Sequence, residues 1–200
     1  SELSYKPNFV SNNYSEGKKV LSVIEDELLK CDRFQISVAF ITLGGVTPLL
    51  QTLKELEQKG IPGEILTSNY LDFSEPLALK KLHSLSNIQI KMYDTKTAHN
   101  GFHTKGYIFK EEEVYRIIIG SMTSAALTTN QEWNTKLVST TQGEMAEDIL
   151  KEFDELWNSK YAYDYDSFYE EYKQTYDIIK KQKKIAKDGN VTSFERYRLK

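Results

Sequence analysis

His103 and Lys105, two residues apart in GFHTKGYIF, are the first side chains in this chain that could do chemistry. An imidazole is a neutral nucleophile near pH 7, and a lysine ammonium is a compact fixed cation. A hydroxyl follows at Ser121, where the apolar run IIIGS ends, and NQEWN adds Asn130, Glu132 and Asn134. Together these form a polar cluster on stretches that are otherwise apolar. One histidine, one cation, one hydroxyl and one carboxylate suit phosphodiester chemistry. The imidazole can attack phosphorus and hold it as a phosphohistidine. The lysine and the hydroxyl can stabilise charge on the phosphoryl oxygens, which is most of what phosphoryl transfer asks of a protein. A carboxylate on the far ring nitrogen would fix the histidine tautomer, and Glu132 could supply it. The three histidines and one cysteine are dispersed, without metal-ligand spacing. No metal site and no cofactor is therefore expected.

The elements that must position these residues can be read from periodicity. FHTKGYIFK and VYRIIIGS have the aromatic and β-branched content of strands, joined by the charged turn Glu111 to Glu113. Continued through the first of these strands, the two-residue alternation puts His103, Lys105, Tyr107 and Phe109 on one face. EWNTKLVSTT predicts a further strand. Upstream, RFQISVAFIT, GEILTSN and NIQIKMYD read as strands. They alternate with the amphipathic stretches SEGKKVLSVIEDELLKC, TPLLQTLKELEQKG and PLALKKLHSL. TSAAL reads as one helical turn, and GEMAEDILKEFDELWNS as a long amphipathic helix. Helical crossovers predict parallel strands in the first half, and the hairpin predicts an antiparallel pair after it. The expected fold is an α/β/α sandwich with a mixed central sheet.

Composition bounds the rest. With 200 residues, 23.1 kDa and a 40% hydrophobic fraction, the chain can bury one substantial core. The net charge of −3 gives no global signal of a nucleic-acid binder, although a local basic groove can sit on an acidic chain. No apolar run approaches the roughly 18 residues of a membrane helix, and no signal peptide is recognised. The single Cys31 excludes an intrachain disulfide and fits a reducing compartment. A cytoplasmic protein without membrane contact is expected.

The composition shifts near Ser159. Residues 1–158 read as the domain, and 159–200 as a tyrosine- and lysine-rich helical extension or linker. From Lys173 to Lys200 there are nine Lys/Arg against three Asp/Glu; from Gly143 to Glu171 there are two Lys against ten Asp/Glu. That asymmetry points to an extension outside the core. Within it, the tyrosines from Tyr161 to Tyr176 are expected to pack against the domain more readily than to stack on bases. The abrupt start, and the end in SFERYRLK without a helix stop, point to a fragment of a longer protein.

The segments FHTKGYIF, IIIGS and NQEWN resemble the phospholipase D superfamily, whose signature is H-x-K, then Asp, then G-S-x-N. The similarity is greatest to the nuclease-like branch found at the N-terminus of bacterial DEAD/DEAH-type helicases and restriction-related proteins. AFITLGGV and ILTSNYLDFSEPLALKKL add to it, and it spans roughly residues 5–158. The resemblance implies His103 as nucleophile, Lys105 and Ser121 as phosphate-binding groups, and Glu132 as a carboxylate supporting the histidine. Two positions depart from the pattern. Lys110 stands where the signature has Asp, and GSMTSAAL has Thr123 where it has Asn. Thr123 or Asn130 would then take the place of the amide in binding substrate, beside Asn134.

There is one H-x-K, since His83 and His99 do not repeat it. Two histidines cooperate in this superfamily, so the resemblance implies a homodimer joined through the active-site face. It also implies a metal-independent nuclease acting on nucleic acid, DNA first, and continuing into a helicase region. Three rivals stay open. They are a module that binds DNA for an attached helicase without cutting, a lipid phosphodiesterase, and a structural dimerisation domain.

Overall fold

The computed structural model describes residues 8–11, 20–99, 102, 106–119, 133–140 and 143–198. Eight strands form one mixed sheet: β1 (Asn8–Ser11), β2 (Arg33–Ser37), β3 (Gly63–Ser68), β4 (Ile88–Tyr93), β5 (Gly106–Glu111), β6 (Val114–Ile118), β7 (Trp133–Thr140) and β8 (Ala162–Asp164). Their order across the sheet is β1-β7-β6-β5-β2-β3-β4-β8. The strands β2, β3 and β4 run parallel, and every other pairing is antiparallel. The parallel half and the β5–β6 hairpin are as the sequence pattern predicts.

The helices are α1 (Val20–Lys30), α2 (Leu43–Val46), α3 (Leu50–Lys59), α4 (Pro76–His83), α5 (Thr95–Ala98), α6 (Glu144–Trp157) and α7 (Tyr165–Arg198). They cover both faces of the sheet. On one face Ile24 and Leu28 of α1, Leu53 and Leu56 of α3, and Leu79 and Leu82 of α4 pack with Phe34, Ile65 and Phe109. On the other, Phe153 and Trp157 of α6 pack with Leu66, Ile108, Tyr115 and Ile117. Consecutive strand residues divide between the two faces, as Ile65 and Leu66 do, because side chains alternate along a strand. The expected α/β/α sandwich is the observed one.

Two glycines have geometric reasons. Gly60 ends α3 in the left-handed region, at φ 69°. Gly63 lies under the Phe34 ring, where a Cβ would meet ring carbon at 2.0 Å.

The residues after Ser159 pack their tyrosines against the domain as expected, and more deeply than an outlying extension would. Their first part belongs to the core instead of standing outside it. Tyr163 pairs with Met92 in the β4–β8 ladder, so β8 extends the sheet. Phe168 and Tyr172 of α7 are buried in the same cluster as α1, α3 and α4. Tyrosine can do this because its ring is an apolar body with a polar tip, and the Tyr172 hydroxyl donates to the Ser74 carbonyl at 2.6 Å. Among the described residues no helix is long and apolar enough to cross a membrane.

Candidate functional site

Three strand ends define the frame of the site. Gly106, the first residue of β5, pairs with Ser37, the last of β2. Tyr107 pairs with Ile118, the last residue of β6, and Ile118 pairs with Lys136 of β7. The start of β5, the exit of β6 and the start of β7 therefore lie at one end of the sheet. The parallel strands β2, β3 and β4 present their carboxyl ends there too, with Ser68 opposite Tyr93. Open α/β sheets bind ligands outside the carboxyl ends of their parallel strands.

The predicted site residues belong to the chain segments that leave from this end. His103, Lys105, Ser121, Thr123, Asn130 and Glu132 lie outside the described residues, as does TSAAL. Asn134 is in β7 and pairs through its backbone with Val10 of β1. Phe102, immediately before His103, is described. It is buried and packs against Tyr93, with ring centroids 5.7 Å apart. This apolar anchor at the carboxyl end of β4 ties the entry to the H-x-K segment to the core.

Ser68 and Asn69, the end of GEILTSN, have structural roles at the same end. Ser68 is the last residue of β3 and is fully buried; its hydroxyl donates to the Ala39 carbonyl at 2.7 Å. Asn69 bridges to the turn after β4. Its amide donates to Asp94 at 2.8 Å, and its carbonyl oxygen accepts from the Thr95 N–H at 2.9 Å. Asp94 in turn accepts from the Lys96 and Thr97 N–H groups and from the Thr97 hydroxyl. Burial pushes the Asp94 carboxyl up, but hydrogen bonds from Thr97, Asn69 and Lys96 outweigh it and hold its pKa below the usual value. Two loops that follow parallel strands are thereby locked together.

Within the loop after β3 the chain makes a strained turn at Tyr70–Asp72. Leu71 and Asp72 both adopt left-handed backbone, at φ 49° and 53°. Such conformations are costly in non-glycine residues and cluster at functional positions. Here they accompany exposed apolar side chains, with Tyr70 44%, Leu71 56% and Phe73 43% accessible. Phe73 makes edge-to-face contacts with Phe40 at 5.5 Å and with Tyr70 at 6.3 Å. The rim residues lie in AFITLGGV and ILTSNYLDFSEPLALKKL, but only the packing brings Phe40, from the exit of β2, to the turn after β3. A cleft of about 420 Å³ lies alongside, lined by Asn69, Asp72, Asp94 and Lys96 and by Glu171 and Tyr172 of α7.

Cys31 and His83 have packing roles away from this end. Cys31 is buried, and its thiol is pushed up to about 12 by desolvation, so it carries almost no thiolate at neutral pH. His83 ends α4 and stacks on Tyr165 at 3.7 Å. Among the described residues no group of His, Cys, Asp and Glu is arranged to hold a metal ion.

Comparison with known proteins agrees with this frame. Residues 26–157 match the family described as cardiolipin synthase, PLD-like domain. Among solved structures, the phospholipase D family member Nuc from Salmonella typhimurium superposes with a TM-score of 0.57 at 16% identity, covering 81% of this chain and 97% of its own. NucT from Helicobacter pylori gives 0.57 at 14% identity, covering 78% and 98%. The phosphatidylserine synthase of Haemophilus influenzae gives 0.56 at 15% identity; 94% of this chain matches 47% of that one. At these identities the likeness is one of fold. Among curated proteins, none matches the chain.

Proposed function

The chain belongs to the PLD-like domain family, and from that membership we propose that it is a metal-independent phosphodiesterase that cleaves DNA. Phosphodiester hydrolysis is what the family supports; the substrate, the mechanism and the assembly are our reading. One observation carries it. The segments bearing His103, Ser121 and Glu132 depart from the start of β5, the exit of β6 and the start of β7, which the strand register places at one end of the sheet.

In this reading the His103 imidazole attacks phosphorus, forming a P–N bond as the P–O bond to the leaving group breaks. A protonated His103 of a second chain gives its proton to the leaving oxygen. The same residue, now neutral, takes a proton from water, and the hydroxide attacks phosphorus and releases the first imidazole. Lys105 and Ser121 hold the phosphoryl oxygens, and Glu132 orients the imidazole. Thr123, Asn130 and Asn134 bind the substrate. The exposed rings of Tyr70 and Phe73 offer surfaces on which bases can stack. A homodimer through this face, a cytoplasmic location and continuation into a helicase or restriction-type protein complete the proposal.

The test is to trap the intermediate. The chain is mixed with labelled DNA in EDTA, quenched, and searched by mass spectrometry for an adduct on His103, with His103→Ala alongside. An adduct with product is expected. Cleavage that persists in His103→Ala, or that EDTA abolishes, overturns the mechanism. A second reading rests on Lys110 and Thr123, which depart from the family signature: a module that holds DNA without cutting it. Salt-dependent binding weakened by Lys105→Ala, with neither adduct nor product, would favour it.

A further inference from the structure

The direction of α7 gives its far end a position relative to the site. Tyr165, at its start, stacks on His83, at the end of α4 that leads into the first residue of β4. Two turns later Tyr172 reaches Ser74, in the loop after the carboxyl end of β3. The helix therefore climbs the sheet towards the candidate site. It continues about 20 Å from Tyr172 to Lys187, at about 1.5 Å per residue. Residues 180–189 are all exposed, so this part is an arm standing beyond the carboxyl ends of the parallel strands.

The arm has a patterned charge. Lys180, Lys183, Lys184 and Lys187 recur at the three- and four-residue spacing of a single helix face. No described acidic side chain forms an ion pair with any of them. Tyr169 and Tyr176, which pack against the core lower down, lie in the same row, seven, four, three and four residues apart through Lys180, Lys183 and Lys187. The face that docks on the domain thus becomes a lysine face once the domain has ended. Ile178 and Ile185, 57% and 63% exposed, lie on the opposite side. Two isoleucines make too narrow an apolar face to bury in a membrane.

We propose that this lysine face is a second contact for the DNA that enters the phosphodiester site, gripping its backbone. The inference rests on the phosphodiesterase reading for its partner and deepens it by naming where that partner is held. Charge complementarity carries it. The stripe is about 10 Å long, and a B-form strand presents a phosphate about every 3.4 Å, so the arm spans about three phosphates. The chain as a whole is acidic, so this local field, and not the net charge, attracts the polyanion. The matched family region ends at residue 157, before the arm begins.

The experiment compares the full chain with two variants. In one, Lys180, Lys183, Lys184 and Lys187 are all changed to Gln. In the control, the exposed Lys30, Lys54, Lys59 and Lys151 of the domain body are changed to Gln, removing the same charge. Helix content by circular dichroism verifies folding. Binding of a labelled DNA duplex is then followed by anisotropy over a salt series. The arm variant is expected to flatten the slope of log K against log salt by about 3, while the control changes it by less than about 1. Equal slopes in all three proteins, or equal losses in the two variants, overturn the proposal. So does arm-dependent binding to phosphatidylserine vesicles without arm-dependent binding to DNA. Hydrolysis of bis(4-nitrophenyl) phosphate, too small to reach the arm, separates the two readings. Its absence in the parent counts against the catalysis and leaves the arm to be judged by the slopes.

Discussion

The parallel half of the sheet and its antiparallel half divide the work of this molecule. In β2, β3 and β4 the loops at the carboxyl end are fastened by side chains: Ser68 to Ala39, Asn69 to Asp94 and Thr95, and Tyr172 of α7 to Ser74. In β5, β6 and β7 the same end is where the segments carrying His103, Ser121 and Glu132 depart. One half is a bracket, and the other is where the chain leads into the groups proposed to react. The comparison teaches that rigidity need not be built at the reacting residues. It can be supplied alongside, where Phe102, just before the H-x-K segment, packs on Tyr93 of β4. Substitutions in the two halves should therefore fail differently, one in rate and the other in stability.

The largest expected effect is in the reactive half. His103→Ala should lower turnover on the order of 10⁴-fold or more while the urea midpoint stays close to that of the parent. A rate loss matched by a large fall in midpoint would break the division. Next comes the bracket. Phe34→Ala removes a fully buried ring lying over Gly63, and should cost about 3–5 kcal/mol in urea unfolding. Its effect on turnover, measured well below the transition, should be minor.

A finer cut is Tyr172→Phe. It leaves the Ser74 carbonyl without its phenolic donor in a buried place, at a cost of about 1–2 kcal/mol. If α7 fastens the loop, amide exchange should quicken at Ser74 and Glu75 before it does in β6. Uniform exchange would place the hydroxyl outside the bracket.

The smallest expected effect is Asp94→Ala, about 1 kcal/mol, from loss of the cap over Lys96 and Thr97. Here pH sharpens the comparison. The Asp94 pKa is lowered in the folded state from its ordinary 3.8, so the stabilisation is fully present above that value and is lost as pH falls through the lower folded value. The stability difference between parent and variant should be constant at neutral pH and close in acid. A difference independent of pH down to the acid transition would show that the carboxylate charge is not what holds the two loops together.

Most of the architecture was legible before any coordinates. The strands around Phe34, Ile65, Ile90 and Ile117, and the helices with apolar residues every third and fourth position, follow from local periodicity. The resemblance carried by FHTKGYIF, IIIGS and NQEWN anticipated both the family and the sandwich. Less legible were β8 and the docked part of α7. A tyrosine-rich segment is ambiguous in composition, and only a neighbouring surface decides whether its rings are buried.

By itself the sequence determined most of the elements, the family and which side chains could do chemistry, because periodicity and residue type are local properties. Only the tertiary structure decided the strand order that brings the β5, β6 and β7 ends together. It also decided the aromatic rim of Phe40, Tyr70 and Phe73, and the docking of α7 on the loop after β3. These depend on contacts between residues distant in the chain. Tyr172 and Ser74 are 98 positions apart, and no local pattern encodes their meeting.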